Sequence, residues 1–256
     1  MSTTQRAYTD ETLPQLLSLI EGADSVELKV TVAEHAHAAA AEALGLDPRE
    51  AQIRQVFFFD TPALALSKEG VVVRARRVQK RRADSVIKLR PVVPAELPKP
   101  LRQSPSFTVE VDALPGGFVC SGAMKSMLDD DDVRSSVRGK RPISKLFSKE
   151  QRRLYAEHAP AGVALDDLAV LGPVFVLKLK RMVEGFDRRL VAEMWLYPDG
   201  SRIFELSTKC APPDAFQVAA ETRGFLASRG LDLGGEQQTK TRKALEFFSA
   251  ALQGTA

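Results

Sequence analysis

The chain has 256 residues, enough to bury a sizeable core as one large domain or two small ones. Apolar residues make up 44% and charged residues 27%, ordinary values that argue against global disorder or a fibre. A formal net charge of +3 does not suggest a nucleic-acid binder held by bulk charge, so local segregation of charge matters more than the total.

The polar start at 1–10 lacks the basic-then-apolar build of a signal peptide, and no apolar run approaches the length of a membrane span. Cys120 and Cys210 are the only cysteines and read as reduced thiols, so a soluble cytoplasmic protein is expected. A short amphipathic lead at 13–20 precedes a strand at 25–32. An Ala-rich helix at 34–44 is closed by Gly45 and Pro48. A strand at 53–59 ends in Asp60-Thr61-Pro62, where proline removes a ladder donor. A helical turn at 63–69 and Gly70 lead into a strand around Arg74 and Arg76. The basic run at 76–82 reads as a hairpin tip, its outermost charges Lys80, Arg81 and Arg82 solvated, ahead of a strand around Lys88 and Arg90.

Five prolines make 91–105 an extended connector that cannot be a central strand. A strand around Glu110 and Asp112 ends at Leu114-Pro115-Gly116-Gly117. From 118 to about 158 the pattern reads as helical, an insertion of two or three helices, with the acidic run at 129–132 a solvated helix or turn. Strands resume near 163–165, 174–180, 189–197 and 202–209, with Pro198-Asp199-Gly200 as the turn between the last two. Helices at about 213–229 and 239–252, separated by a Gly-rich break, close the chain. About eight strands, mostly antiparallel by connection length, give an α+β fold in one domain over 1–256.

Seven strand segments alternate charged and apolar residues with period two, so each has one ionic and one oily face. In any single strand a water-facing polar side accounts for this. Taken together, the charges segregate by strand: cations at 74–76, 88–90 and 178–180, carboxylates at 110–112. Such clustering of like charge has no structural benefit on an exposed face. The amphipathic helices at 34–44, 213–229 and 239–252 also need apolar partners, and the oily strand faces are available. Helices would then lie outside a barrel whose ionic faces point inward, where they need counter-charge such as a polyphosphate with a divalent metal.

Ser25-Val26-Glu27-Leu28-Lys29 stands where a Glu-x-Glu-x-Lys signature would fall on the first strand. Segment 58–66, running Phe-Phe-Asp-Thr-Pro to Leu66, and the segments 70–76, 85–91, 205–209 and Thr239-Lys240-Thr241-Arg242 follow in order. In these motifs, over about residues 24–248, the chain resembles the CYTH family, or triphosphate tunnel metalloenzymes, which includes thiamine triphosphatases, inorganic triphosphatases and a class of adenylate cyclases. The resemblance implies an eight-stranded antiparallel closed tunnel with helices outside. It implies that Lys29, Arg74, Arg76, Lys88 and Arg90 grip phosphates, with Lys178, Lys180, Lys209, Lys240 and Arg242 as further substrate-binding residues. It implies that Glu27, Glu110, Asp112 and Glu205 hold Mg²⁺ or Mn²⁺, with Glu27, Lys29 and Glu205 catalytic. Ser25 replaces the first glutamate of the signature, Ser207 replaces an acidic residue on the last strand, and Arg90 stands where lysine is usual.

The leading expectation is a metal-dependent hydrolase of a triphosphate: tripolyphosphate, thiamine triphosphate or a nucleotide. The alternatives are a non-catalytic polyphosphate- or nucleotide-binding protein whose metal set has decayed, and a cyclase forming cyclic AMP from ATP. The partners expected are the small-molecule triphosphate or polyphosphate and, as an open option, a second copy in a homodimer, with no nucleic acid and no membrane. His35 and His37, two apart in a helix, do not suit zinc, and no P-loop, nucleophile elbow or Cys-x-x-Cys is present.

Overall fold

The structure is a computed structural model and describes residues 13–231 and 239–254. The polar start at 1–10 and most of the Gly-rich break lie outside the described residues. In chain order the elements are α1 (Leu13–Glu21), β1 (Ser25–Val32), α2 (His37–Ala43), β2 (Gln52–Asp60), α3 (Ala65–Lys68), β3 (Val71–Val78) and β4 (Arg81–Leu89). There follow α4 (Lys99–Arg102), β5 (Phe107–Leu114), β6 (Gly117–Leu128), α5 (Asp130–Val137), α6 (Lys149–His158), β7 (Ala169–Val183), β8 (Phe186–Leu196), β9 (Arg202–Cys210), α7 (Ala215–Ser228) and α8 (Lys240–Leu252).

The strands close into one barrel in the order β1-β5-β6-β4-β3-β2-β7-β8-β9. The closed tunnel with helices outside is as expected, with nine strands among the described residues where about eight were anticipated. A ring with an odd number of strands cannot alternate direction all the way round. The one parallel pair is β1 with β5, in the register Ser25↔Glu110 and Glu27↔Asp112.

The ninth strand is β6, and it corrects the helical reading of 118–158. Helices begin only at Asp130. Register places Val119, Ser121 and Ala123 on the same face as Asp112, Glu110 and Thr108. That face of β6 therefore carries small, uncharged residues at these positions, which hides its period of two. Gly122 marks a close approach from the other face: a Cβ there would lie 2.4 Å from the ring of Phe107. The strand expected at 163–165 is also absent. A hydrogen bond from the Ala164 N–H to Asp167 at 3.1 Å folds that stretch into a single 3₁₀ turn, and β7 starts at Ala169.

Two apolar clusters lie between barrel and helices. One joins Val73, Ile87, Val109 and Val111 to Leu16 of α1, Leu154 of α6 and Val218 of α7. The other joins Val30, Phe204 and Leu206 to Ala40 of α2 and Leu226 of α7. A buried Gln151 fastens α6 to the wall, accepting from Ser85 Oγ at 3.0 Å and donating to the Ser85 and Met124 carbonyls at 3.1 and 3.0 Å.

The third cluster departs from expectation, because it is inside the barrel. Val56, Phe58, Val174, Val176, Trp195 and Ile203 share the ionic face by register, and they pack against Ala244 and Leu245 of α8. So α8 does not cover an outer wall as α2 and α7 do. Its apolar stripe stops one end of the bore.

Candidate active site in the barrel bore

The period-two alternation has a single spatial outcome: ion contacts link the inward faces round the ring. Asp112 of β5 is 1% exposed and lies 2.7 Å from Lys29 of β1, 3.7 Å from Lys88 of β4 and 3.4 Å from Arg90, just past the end of β4. Lys29 also lies 3.0 Å from Glu27. Ser207 of β9 donates to Glu27 at 2.9 Å, and Ser25 to Glu110 at 3.5 Å. Burial disfavours the charged form of Lys29, yet Asp112, Glu27, Glu205 and Glu110 hold its ammonium well above the usual lysine value. Burial likewise opposes the Asp112 carboxylate, but Lys29, Lys88 and Arg90 keep it below the ordinary range. Lys88 goes the other way, lowered by burial with Asp112 only partly offsetting it.

Ligand oxygens of Glu27, Glu110 and Asp112 lie within 4.8 Å of one another. Three carboxylates at that spacing are a hard-oxygen donor set, which fits a divalent cation that takes carboxylate ligands. Their charge is already met by Lys29, Lys88 and Arg90, and by Lys209, whose ammonium contacts Glu110 at the half-exposed edge. Any metal here shares its ligands with ammonium groups.

Glu205, expected as the fourth ligand, is not in this group. It pairs with Lys240 at 2.6 Å. Lys240, at the first turn of α8, also contacts Glu193 of β8 and sits 5.1 Å above the Trp195 ring. Glu193 takes Lys178 of β7 at 2.6 Å and the Trp195 indole N–H at 3.1 Å. Three ion sets therefore line the bore: one around Asp112 on β1, β4 and β5 with Lys209 of β9, a second on β7, β8, β9 and α8, and a third pairing Arg76 of β3 with Asp84 of β4. Arg242 is a correction. Two positions along a helix turn a side chain to a different face, and Arg242 is exposed on α8, paired with Glu246 at 2.8 Å. Lys180 is exposed on β7, two residues nearer the rim than Lys178.

The wall across from β1 is formed by β2 and β3. Arg76 is held by Asp84 through a bidentate fork, 2.9 Å in each arm. Arg74 is half-buried; among the described residues no carboxylate is in ion-pair contact with it, and its buried Nε has no hydrogen-bond partner. Burial, then repulsion from Arg76, pushes this guanidinium down to about 9, with Asp84 and Glu193 offsetting only part of the effect.

The sequence motifs did not single out Arg54, Asp84 or Glu193 as site residues. Arg54 faces inward from β2 in register with Val78 and Val176. Its parity with Phe58 would have placed it there. The three consecutive phenylalanines at 57–59, buried on both faces, obscured the alternation that carries this signal.

No family model matches the chain, and no curated protein matches its sequence. Solved structures do match. HpAC1 from Hippeastrum, assigned as an adenylyl cyclase and described as revealing a dominant triphosphatase activity, superposes with a TM-score of 0.60 at 19% identity, over 90% of this chain and 96% of that one. A Bacillus halodurans protein assigned as an adenylate cyclase superposes with a TM-score of 0.59 at 12% identity, over 86% and 97%. The chain shares the closed-tunnel fold of these two proteins, the fold that the resemblance to the CYTH family implied.

Proposed function

We propose that this protein hydrolyses a triphosphate-bearing small molecule held in the bore. The observation that carries the reading is the juxtaposition, inside one barrel, of a three-carboxylate cluster with inward cations that include Arg74, which has no ion-pair partner among the described residues. A half-buried guanidinium without an ion pair is costly, and a polyanion is its natural counter-charge. The names carried by the two matching structures point the same way.

Lys29, Lys88 and Arg90 face the acidic cluster and Arg74 and Arg76 the opposite wall, so a phosphate chain between them meets cations on both sides. Their fixed charge stabilises the charge that builds on the transferring phosphoryl oxygens and needs no reorganisation at the moment of reaction. Glu27, Glu110 and Asp112 would hold Mg²⁺ or Mn²⁺, which supplies further neutralisation of the phosphates and acidifies a bound water. Glu205 acts indirectly in this scheme, holding the Lys240 ammonium in the bore as a further phosphate ligand.

The test is phosphate release from tripolyphosphate, thiamine triphosphate and ATP, with and without Mn²⁺ or Mg²⁺. Metal-dependent release is expected, abolished by Lys29→Ala. A second reading, a phosphate-binding protein without turnover, is favoured by Ser25 and Ser207 in place of carboxylates and by the lysines that already occupy the remaining ones. It wins if tripolyphosphate raises the melting temperature and no phosphate appears with any metal. Cyclic AMP from ATP would select a cyclase instead.

A further inference from the structure

The wall of the bore across from the carboxylates carries a cation outside the strand motifs. Arg54 is partly buried on β2, and among the described residues its only side-chain hydrogen-bond partner is the neutral Gln52, whose Oε1 accepts from Nε at 3.1 Å and from Nη2 at 2.8 Å. Among the described residues no carboxylate lies within ion-pair distance of it, while Arg76 stands one diagonal step away on β3. Burial, then that neighbouring charge, lowers its affinity for its own proton. A structural arginine would have found an acid, as Arg76 found Asp84. This one is oriented by an amide, with Glu193 and Asp84 near enough to offset only part of the effect of burial and of Arg76.

Position along the bore adds a second constraint. Phe58 and Val56 of β2 belong to the apolar cluster stopped by α8. Arg54 and Gln52 continue the same inward face away from that stop, next to Lys178 by register. A linear anion whose inner end lies at Arg74 therefore passes Arg54 on its way to the open side. Building on the triphosphate reading above, we propose that Arg54 binds the outermost phosphoryl group of the substrate, so that this chain reads phosphate-chain length through a residue on β2.

The experiment is calorimetric titration of the full chain with tripolyphosphate and with pyrophosphate, in chelator, for wild type, Arg54→Gln and Arg54→Lys. One charge-assisted hydrogen-bonding partner is worth about 1.5–3 kcal/mol, so Arg54→Gln should weaken tripolyphosphate roughly 10- to 100-fold. Pyrophosphate, one phosphoryl shorter, should weaken far less, and Arg54→Lys should recover part of the loss. The melting temperature of Arg54→Gln without anion should equal or exceed that of wild type, since a partly buried charge without an ion pair has gone. Tripolyphosphate affinity within twofold of wild type overturns the assignment, as does an equal loss for both anions, which would reduce Arg54 to a general field. If wild type itself binds no tripolyphosphate, the triphosphate reading of the bore falls first and this assignment with it.

Discussion

Asp112 is the residue on which the bore's electrostatics turn, because one carboxylate faces three cations, Lys29 of β1, Lys88 of β4 and Arg90 just beyond it. Asp112→Asn keeps the shape and removes the charge, leaving Lys29, Lys88 and Arg90 to repel one another in a site with little water. Breaking a buried pair costs about 3–5 kcal/mol, so urea unfolding should show a loss of that order, partly restored by tripolyphosphate. The carboxyls of Asp112, Glu27 and Glu193 are all held below their ordinary values; burial opposes this, and the adjacent ammonium and guanidinium groups outweigh it. The folded chain then binds fewer protons in acid than the unfolded one. That stability is present above the unfolded carboxyl range, around pH 4, and is lost as pH falls through the lower folded values. The urea midpoint should therefore drop steeply below about pH 4, and Asp112→Asn should flatten that slope. An unchanged acid profile in the variant would remove Asp112 from this role.

At the scale of elements, the strand ends fix the cations as firmly as the strands do. Gly70 precedes β3 with φ +73°, and a Cβ there would lie 2.4 Å from the backbone oxygen of Arg90. The Arg90 N–H in turn donates to the Gly70 carbonyl at 2.8 Å. Only glycine tolerates both the conformation and the approach. Gly70→Ala should cost more than about 1 kcal/mol and weaken tripolyphosphate binding by moving Arg90, checked by unfolding and titration on the same sample. Normal affinity in a destabilised variant would show that Arg90 does not need this anchor. Legibility in the sequence followed the same logic. The cations of β3 and β4 were readable because their neighbours are apolar. β6 was not, because Ser121 and Ala123 offer no contrast with Gly122 and Met124, and α8 was misplaced because an amphipathic helix does not say which apolar surface it meets.

For the whole molecule, a net charge of +3 conceals an interior where cations outnumber nearby carboxylates on the β2–β3 wall. A bound polyanion should therefore stabilise the fold more than its size suggests. At 100 times its dissociation constant a ligand adds about 2.7 kcal/mol, which for a chain of this length is a melting shift of roughly 5–10 °C. Raising NaCl from 50 to 500 mM should shrink the shift by screening groups nearest the rim, while the deepest pairs respond less. Insensitivity to salt would mean that the rim cations take no part.

The order of residues alone determined that charged and oily faces alternate and which side chains of each strand share a face, because side-chain parity in a strand is a local property of the backbone. The closed barrel with its ionic side inward is an expectation drawn from the helices and the family resemblance, and the structure has it. Only the tertiary structure decided which charges touch. It moved Glu205 from the acidic cluster to Lys240, turned Arg242 to solvent, brought Arg54 into the bore and set α8 in its end, because strand tilt and register, which no single segment encodes, choose the neighbours across the barrel.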